Sequence, residues 1–129
     1  MCQRGCYAND SDIVIASTKA SFALPEVKRG VFAKAGALGR IIRFLGISRH
    51  EVVAADVVGL QRASELALLG DPISPQKMHE WGIVNEVVPH EDLIPTAMRY
   101  ARKICENSPD AVIVSRTGML ASLERIPKS

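Results

Sequence analysis

The sequence lacks several features that would assign it to a common class of protein. No apolar stretch approaches the roughly 18–20 residues that a membrane-spanning helix needs, so a membrane role has no support. The three cysteines, Cys2, Cys6 and Cys105, are an odd number, and no basic start precedes an apolar run. Neither a disulfide framework nor a secretory signal is therefore predicted. We expect an intracellular protein in a reducing compartment, and no clear signal assigns it to the mitochondrial or the peroxisomal matrix.

The motifs of metal-dependent and phosphate-binding enzymes are also missing. Each histidine precedes a glutamate, but the position four residues after each histidine holds Ala54, Ile83 or Ile94, not the second histidine of a zinc-protease helix. Cys2 and Cys6 lack the spacing and the second ligand pair of a zinc site. No Gly-x-Ser-x-Gly elbow and no Gly-Lys-Ser/Thr loop occurs. We predict no metal site and interpret the histidines as solvated residues at helix ends.

The composition that remains is that of an ordinary globular domain. The 129 residues are 47 % hydrophobic and 23 % charged, with a net charge of +2. A chain of this length can bury a core as one domain. The charge balance gives no indication of a nucleic-acid partner.

Hydrophobic patterning predicts an α/β order of strands and helices. Short apolar runs predict strands at residues 12–17, 22–24 and 83–88. Residues 1–11 show neither a strand nor a helix period and are predicted to be an irregular lead-in. Helical spacing and cap signals predict helices at 34–45, 61–69 with Gly70 as its stop, 75–82 after the N-cap Ser74, 91–106, and 109–124 after the N-cap Ser108.

One carboxylate, Glu26, lies in a position suited to function. Pro25 restricts its own φ and biases Leu24 to an extended conformation, so Glu26 follows the end of a predicted strand. A side chain at such a point can be directed into a cleft. On spacing alone, the favoured interpretation is a solvated loop glutamate paired with Lys28 or Arg29.

Five short segments of the chain, taken together and in order, form a far more specific pattern than any one of them alone. They are DIVIAS at 12–17, FALPEVKRG at 22–30, ASELAL at 63–68, GDPIS at 70–74 and WGIVNEVVP at 81–89, and the helix start SPDAV at 108–112 also fits. In order and nearly in spacing they resemble the C-terminal half of the enoyl-CoA hydratase/isomerase (crotonase) family.

The resemblance implies a partial crotonase-like spiral of ββα units with C-terminal helices, formed by residues 12–129. Such proteins usually assemble as trimers and bind acyl-CoA thioesters without a separate cofactor, because coenzyme A is part of the substrate. Two backbone N–H groups hold the thioester oxygen while carboxylates move protons or activate water. Glu26 matches one of these catalytic carboxylates. Ala35 and Gly36 match the substrate-binding helix start that faces the acyl group.

The chain departs from the family pattern in four places. The N-terminal half of the family is absent. The glycine-rich stretch that carries the second catalytic glutamate is replaced by residues 3–8, where Gly5 alone survives, so neither half of the oxyanion hole can be assigned. Lys34 and Ala37 stand where the family usually has glycines, so their side chains would leave less room for the acyl group to approach this backbone. Residues 47–59 interrupt a continuous region, which indicates either mis-called exon sequence or an inserted helix or surface loop.

These matches and departures predict an enoyl-CoA hydratase or isomerase design, with little or no activity in this truncated chain. A missing oxyanion donor forfeits on the order of 3–4 kcal/mol of transition-state stabilisation. The alternative is a non-catalytic fragment that acts in oligomer or partner interaction through an apolar helix stripe. A face packed in the internal core is the simpler interpretation of that stripe, which comprises Ile94, Ala97, Met98, Ala101 and Ile104.

Overall fold

A computed structural model describes residues 11–30, 59 and 61–124 of the chain. The chain divides into a first unit, Met1–Leu93, and a second unit, Ile94–Ser129. In chain order the elements are β1 (Ile15–Ser17), a 3₁₀ helix termed the Glu26 turn (Pro25–Arg29), a π-helical segment termed the π turn (Glu65–Leu69), α1 (Pro75–Glu80), β2 (Glu86–Val88), a second 3₁₀ helix (His90–Asp92), α2 (Leu93–Cys105) and α3 (Pro109–Glu124).

Three of the sequence predictions fall outside the described residues. They are the lead-in up to residue 10, the helix at 34–45 and the inserted segment from 47 to 58. Gly59, at the end of that segment, is helical and buried.

The strands β1 and β2 pair in parallel, although they are far apart in sequence. Ile15 lies opposite Glu86 and Ser17 lies opposite Val88. The ladder continues past the strand ends, because the Thr18 N–H donates to the Val88 carbonyl oxygen at 2.8 Å. Both predicted outer strands therefore exist and are brought together by the fold.

Each of these strands is shorter than its apolar run. Only the last three residues of the predicted runs 12–17 and 83–88 form the ladder. The N–H groups of Ile83 and Val84 instead donate to the Met78 carbonyl oxygen, at 3.0 and 3.2 Å. These two β-branched residues are buried in the turn that follows α1, so their apolar character reflects core packing and not strand pairing.

Helix α1 begins as the sequence predicts. The Ser74 hydroxyl oxygen accepts a hydrogen bond from the Lys77 N–H at 3.2 Å, and Pro75 is the first helical residue. The ammonium of Lys77 pairs with Glu65 of the π turn and lies 5.2 Å from the centroid of the Trp81 ring. Lys77 thus links α1 to the π turn, and it also contacts Trp81 at the C-terminal end of α1.

The predicted helix over 61–69 is present, but its last turn is widened. Residues 61–64 are α-helical and continue into the π turn, which ends at Gly70 in the left-handed region (φ 64°, ψ 15°). Leu66 is buried, whereas Leu68 is 70 % exposed. The π turn contributes to the hydrophobic core of the first unit, which comprises Ala16, Leu24, Ala63, Leu66, Ile73, Met78, Ile83 and Val84.

In the second unit, α3 has the predicted bounds and α2 begins later than predicted. Residues 90–92 form the separate 3₁₀ helix, so the predicted helix over 91–106 is divided. The apolar stripe of α2 is exposed, with Ile94 at 69 %, Met98 at 47 % and Ile104 at 42 %. Its interpretation as an internal core face is therefore wrong for the described chain. None of the helices within residues 59–124 that are described is long and apolar enough to cross a membrane.

Leu66→Ala should destabilise the first unit far more than Leu68→Ala. The buried side chain leaves a cavity and loses about 2–5 kcal/mol of unfolding free energy. The exposed neighbour in the same π turn should change it by less than about 0.5 kcal/mol. Urea denaturation followed by fluorescence of Trp81, the only tryptophan in the sequence, measures both variants. Equal losses would contradict the described packing of the π turn.

Candidate functional site

The Glu26 turn is a short helical turn whose two ends are set by Pro25 and Gly30. Leu24, before the proline, has φ −115° and ψ 80°, outside the helical region, as the residue before proline requires. Pro25 then starts the turn, where its missing N–H would have no helical partner. Gly30 ends it in the left-handed region with φ 69°, and its N–H points to the carbonyl oxygens of Glu26 and Val27. Glu26 thus occupies the second position of a closed turn.

The chain immediately before this turn is anchored by a backbone bridge. The Phe22 N–H donates to the Ile73 carbonyl oxygen at 3.0 Å, and the Ile73 N–H donates to the Phe22 carbonyl oxygen at 2.7 Å. Leu24 is buried in the core, with 4 % of its surface exposed. The predicted strand over 22–24 is therefore a single antiparallel bridge, because the turn begins at Pro25.

A second anchor lies on the far side of Glu26. The ammonium of Lys28 forms an ion pair with the carboxylate of Asp71, which directly follows Gly70. Both side chains are largely exposed, so the pair adds little stability by itself. It nevertheless engages Lys28, one of the two cations, with Arg29, that sequence spacing suggested as a partner of Glu26.

The Glu26 carboxyl group is held in an unusual environment. Its Oε2 atom is buried and accepts no hydrogen bond from any residue that the structure describes. Buried polar atoms nearly always have a partner, and leaving one without costs roughly 1–3 kcal/mol. This is not the geometry of a solvated loop glutamate paired with Lys28. A buried carboxylate oxygen with free lone pairs can instead accept or return a proton.

The other predicted site residues are not brought to this point by the described structure. Ala35 and Gly36 lie outside the described residues. Within 11–30 and 61–124, no group of three or more histidine, cysteine, aspartate or glutamate side chains could hold a metal ion. His79 and His90 are exposed, and the Nδ1 atom of His79 lies 2.8 Å from the Val84 carbonyl oxygen.

The structure contains a cavity beside β1 that the sequence did not predict. It has a volume of about 550 Å³, lies in the first unit beside β1, and includes Ser17, Lys19, Ser21 and His90 in its lining. Glu26 does not line it. The available signal was the polar segment that directly follows the predicted strand at 12–17, since residues at strand ends often line clefts.

Comparisons with known proteins identify the family of the chain. The family model for enoyl-CoA hydratase/isomerase matches residues 7–128. A mevalonyl-coenzyme A hydratase from Beauveria bassiana is 42 % identical over 117 residues, which cover 90 % of this chain and 37 % of the relative. A mevalonyl-coenzyme A hydratase from Aspergillus fumigatus is 44 % identical over 108 residues, which cover 84 % and 35 %. The chain thus spans little more than a third of the length of these curated relatives.

A solved structure gives the class of fold. The crystal structure of a carnitinyl-CoA hydratase from Mycobacterium avium matches with a TM-score of 0.69 and 39 % identity, over 84 % of this chain and 37 % of that one. The described elements are therefore part of a crotonase-like α/β fold. With the family model covering nearly all of its residues, the chain belongs to the enoyl-CoA hydratase/isomerase family.

Carbodiimide labelling should distinguish Glu26 from exposed glutamates. Because one of its carboxyl oxygens is buried, Glu26 should react several-fold more slowly with carbodiimide and a small amine than Glu80 and Glu91, which are exposed. Peptide mass spectrometry of the folded chain over time measures all three rates, and labelling in urea supplies the unprotected reference. Equal rates in the folded chain would contradict the buried position.

Proposed function

We propose that Glu26 is the proton-transfer group of an enzyme that acts on acyl-CoA thioesters. The observation that carries this proposal is the buried Oε2 atom with no donor among the described residues. Family membership supports it. Glu26 follows Leu24-Pro25, and the sequence resemblance matches it to the family's catalytic carboxylate at this position. The reaction class is hydration of a 2-enoyl-CoA or movement of its double bond.

In this reaction the carboxyl group works as a general acid/base. As a carboxylate, Oε2 accepts a proton from a water molecule that attacks the acyl chain, or from an acyl carbon. As a carboxylic acid it gives the proton to the acyl carbon next to the thioester, which completes the addition of water, or to another acyl carbon when the double bond moves. The negative charge that develops on the thioester oxygen needs N–H donors, and the matched segments assign none. We therefore expect a low rate for this chain.

In this proposal coenzyme A is part of the substrate, and the reaction uses no separate cofactor. Two relatives have mevalonyl-coenzyme A in their names and a solved structure has carnitinyl-CoA, which indicates that the family accommodates different acyl groups. Crotonyl-CoA is the simplest 2-enoyl substrate, and mevalonyl-CoA is the compound to compare with it. Trimeric assembly and a mitochondrial or peroxisomal location stay predictions.

Glu26→Gln should reduce turnover of crotonyl-CoA to the background rate. The amide keeps the size of the side chain but cannot take up the proton, and a general acid/base typically contributes roughly 10²–10⁴-fold. Mass spectrometry after long incubation detects the slow addition of water to crotonyl-CoA and, in parallel, the loss of water from mevalonyl-CoA, whose acyl chain already carries the hydroxyl group. Glu91→Gln is the matched control, because Glu91 is exposed on a different 3₁₀ helix. Turnover that survives Glu26→Gln would contradict the proposal.

A second candidate function is a non-catalytic fragment that acts in assembly. The exposed stripe on α2 favours it, since Ile94, Met98 and Ile104 are each more than 40 % exposed and isolated apolar faces of this kind mark contact surfaces. Sedimentation over a range of concentrations separates the two functions. Tight self-association without turnover of either thioester would support the fragment over the enzyme.

A further inference from the structure

Gly70 makes an unusually close contact with the Glu26 turn. An ideal Cβ atom placed on Gly70 would lie 2.9 Å from the Cγ1 atom of Val27 and 3.1 Å from the carbonyl oxygen of Leu24. It would also lie 3.3 Å from the Cγ atom of Lys28. The first distance is shorter than Cβ atoms tolerate, so any side chain at this position would force a displacement.

The other left-handed glycines of the described chain make no such contact. Gly30 has φ 69° and Gly82 has φ 81°, close to the φ of 64° at Gly70. A Cβ atom on either of them would meet nothing within 4 Å. At Gly30 and Gly82 glycine is favoured only because φ is positive. At Gly70 it is also favoured because there is no room for a Cβ atom.

The atoms that face Gly70 cannot move away easily. The Leu24 carbonyl belongs to a backbone segment confined by the following Pro25 and by burial of the Leu24 side chain. Val27 is β-branched, which leaves its χ1 angle few alternatives in a helical turn. A side chain at position 70 would therefore press on the backbone of the turn at Leu24 as well as on the Val27 side chain.

Contacts from the segment after the π turn fall on both sides of Glu26. Gly70 meets Leu24 before it and Val27 after it, and Asp71 pairs with Lys28. Glu26 lies between these points and has no described hydrogen-bond partner at Oε2 that would hold its carboxyl group independently. Among the described residues, the contacts that hold the turn against this segment are therefore made by the neighbours of Glu26 and not by Oε2.

We propose that Gly70 is a positioning residue: its lack of a Cβ atom lets the Glu26 turn pack against the end of the π turn and so holds the Oε2 atom of Glu26 in its buried location. The functional meaning of this position rests on the proposed proton-transfer role of Glu26. The contact itself does not depend on that role.

The test compares Gly70→Ala with Gly82→Ala in the full chain labelled with ¹³C-glutamate. Both substitutions place a Cβ atom on a left-handed backbone, but only the first meets the Glu26 turn. The side-chain carboxyl resonance of Glu26 is assigned by its loss in Glu26→Gln. We expect Gly70→Ala to shift this resonance at fixed pH and Gly82→Ala to leave it in place. Equal positions in both variants would overturn the proposal, whatever their melting temperatures.

Two further variants keep the test decisive if Gly70→Ala folds poorly. Adding Val27→Ala to Gly70→Ala removes the closest atom, so the resonance should move part of the way back. Lys28→Gln breaks the ion pair with Asp71 at an exposed position and should shift the resonance, while Lys103→Gln, an exposed lysine on α2, should not. A resonance that responds to neither Gly70→Ala nor Lys28→Gln would also overturn the proposal.

The outcomes separate this inference from the proposed function. If the resonance responds as expected and crotonyl-CoA turnover is insensitive to Glu26→Gln, the positioning contact stands and the catalytic role of Glu26 fails. If both hold, Gly70→Ala should lower kcat by a larger factor than it raises KM, because a displaced carboxyl group impairs proton transfer more than substrate binding.

Discussion

The backbone bridge between Phe22 and Ile73 is the constraint on which the site depends. It joins the segment before the Glu26 turn to the segment after the π turn, and its two hydrogen bonds, at 3.0 and 2.7 Å, fix the register between them. With that register set, Leu24 enters the core and Gly70 faces the turn. The placement of the Glu26 turn thus depends on a long-range backbone contact as well as on its local sequence.

Local features of the fold could be predicted from the sequence because they depend on neighbouring residues. The cap at Ser74, the stop at Gly70 and the bounds of α3 all follow from short-range hydrogen bonding and conformational preference. Long-range features could not. Sequence spacing offered Lys28 or Arg29 as a partner for Glu26, yet Lys28 pairs with Asp71. The apolar run at 83–88 includes Ile83, whose N–H donates to the Met78 carbonyl oxygen of α1 and not to a strand.

Burial without a hydrogen-bond partner gives Glu26 a functional interpretation that spacing alone did not favour. A carboxyl oxygen in this state reduces the stability of the fold, and a catalytic role is one reason for a protein to retain it. In a chain of the enoyl-CoA hydratase/isomerase family, proton transfer on an acyl-CoA thioester is the purpose we propose. Glu26 is the acid/base group that we assign among the described residues, and the chain covers little more than a third of the length of these curated relatives.

A crystal structure of the chain with crotonyl-CoA bound tests the central claim most directly. If Glu26 is the proton-transfer group, its Oε2 atom should lie within hydrogen-bond reach, about 2.6–3.2 Å, of a water molecule positioned against the acyl chain, or should directly contact the reacting acyl carbon. An Oε2 atom that accepts a hydrogen bond from a cation or N–H group of the protein, with the acyl group bound elsewhere, would contradict the account.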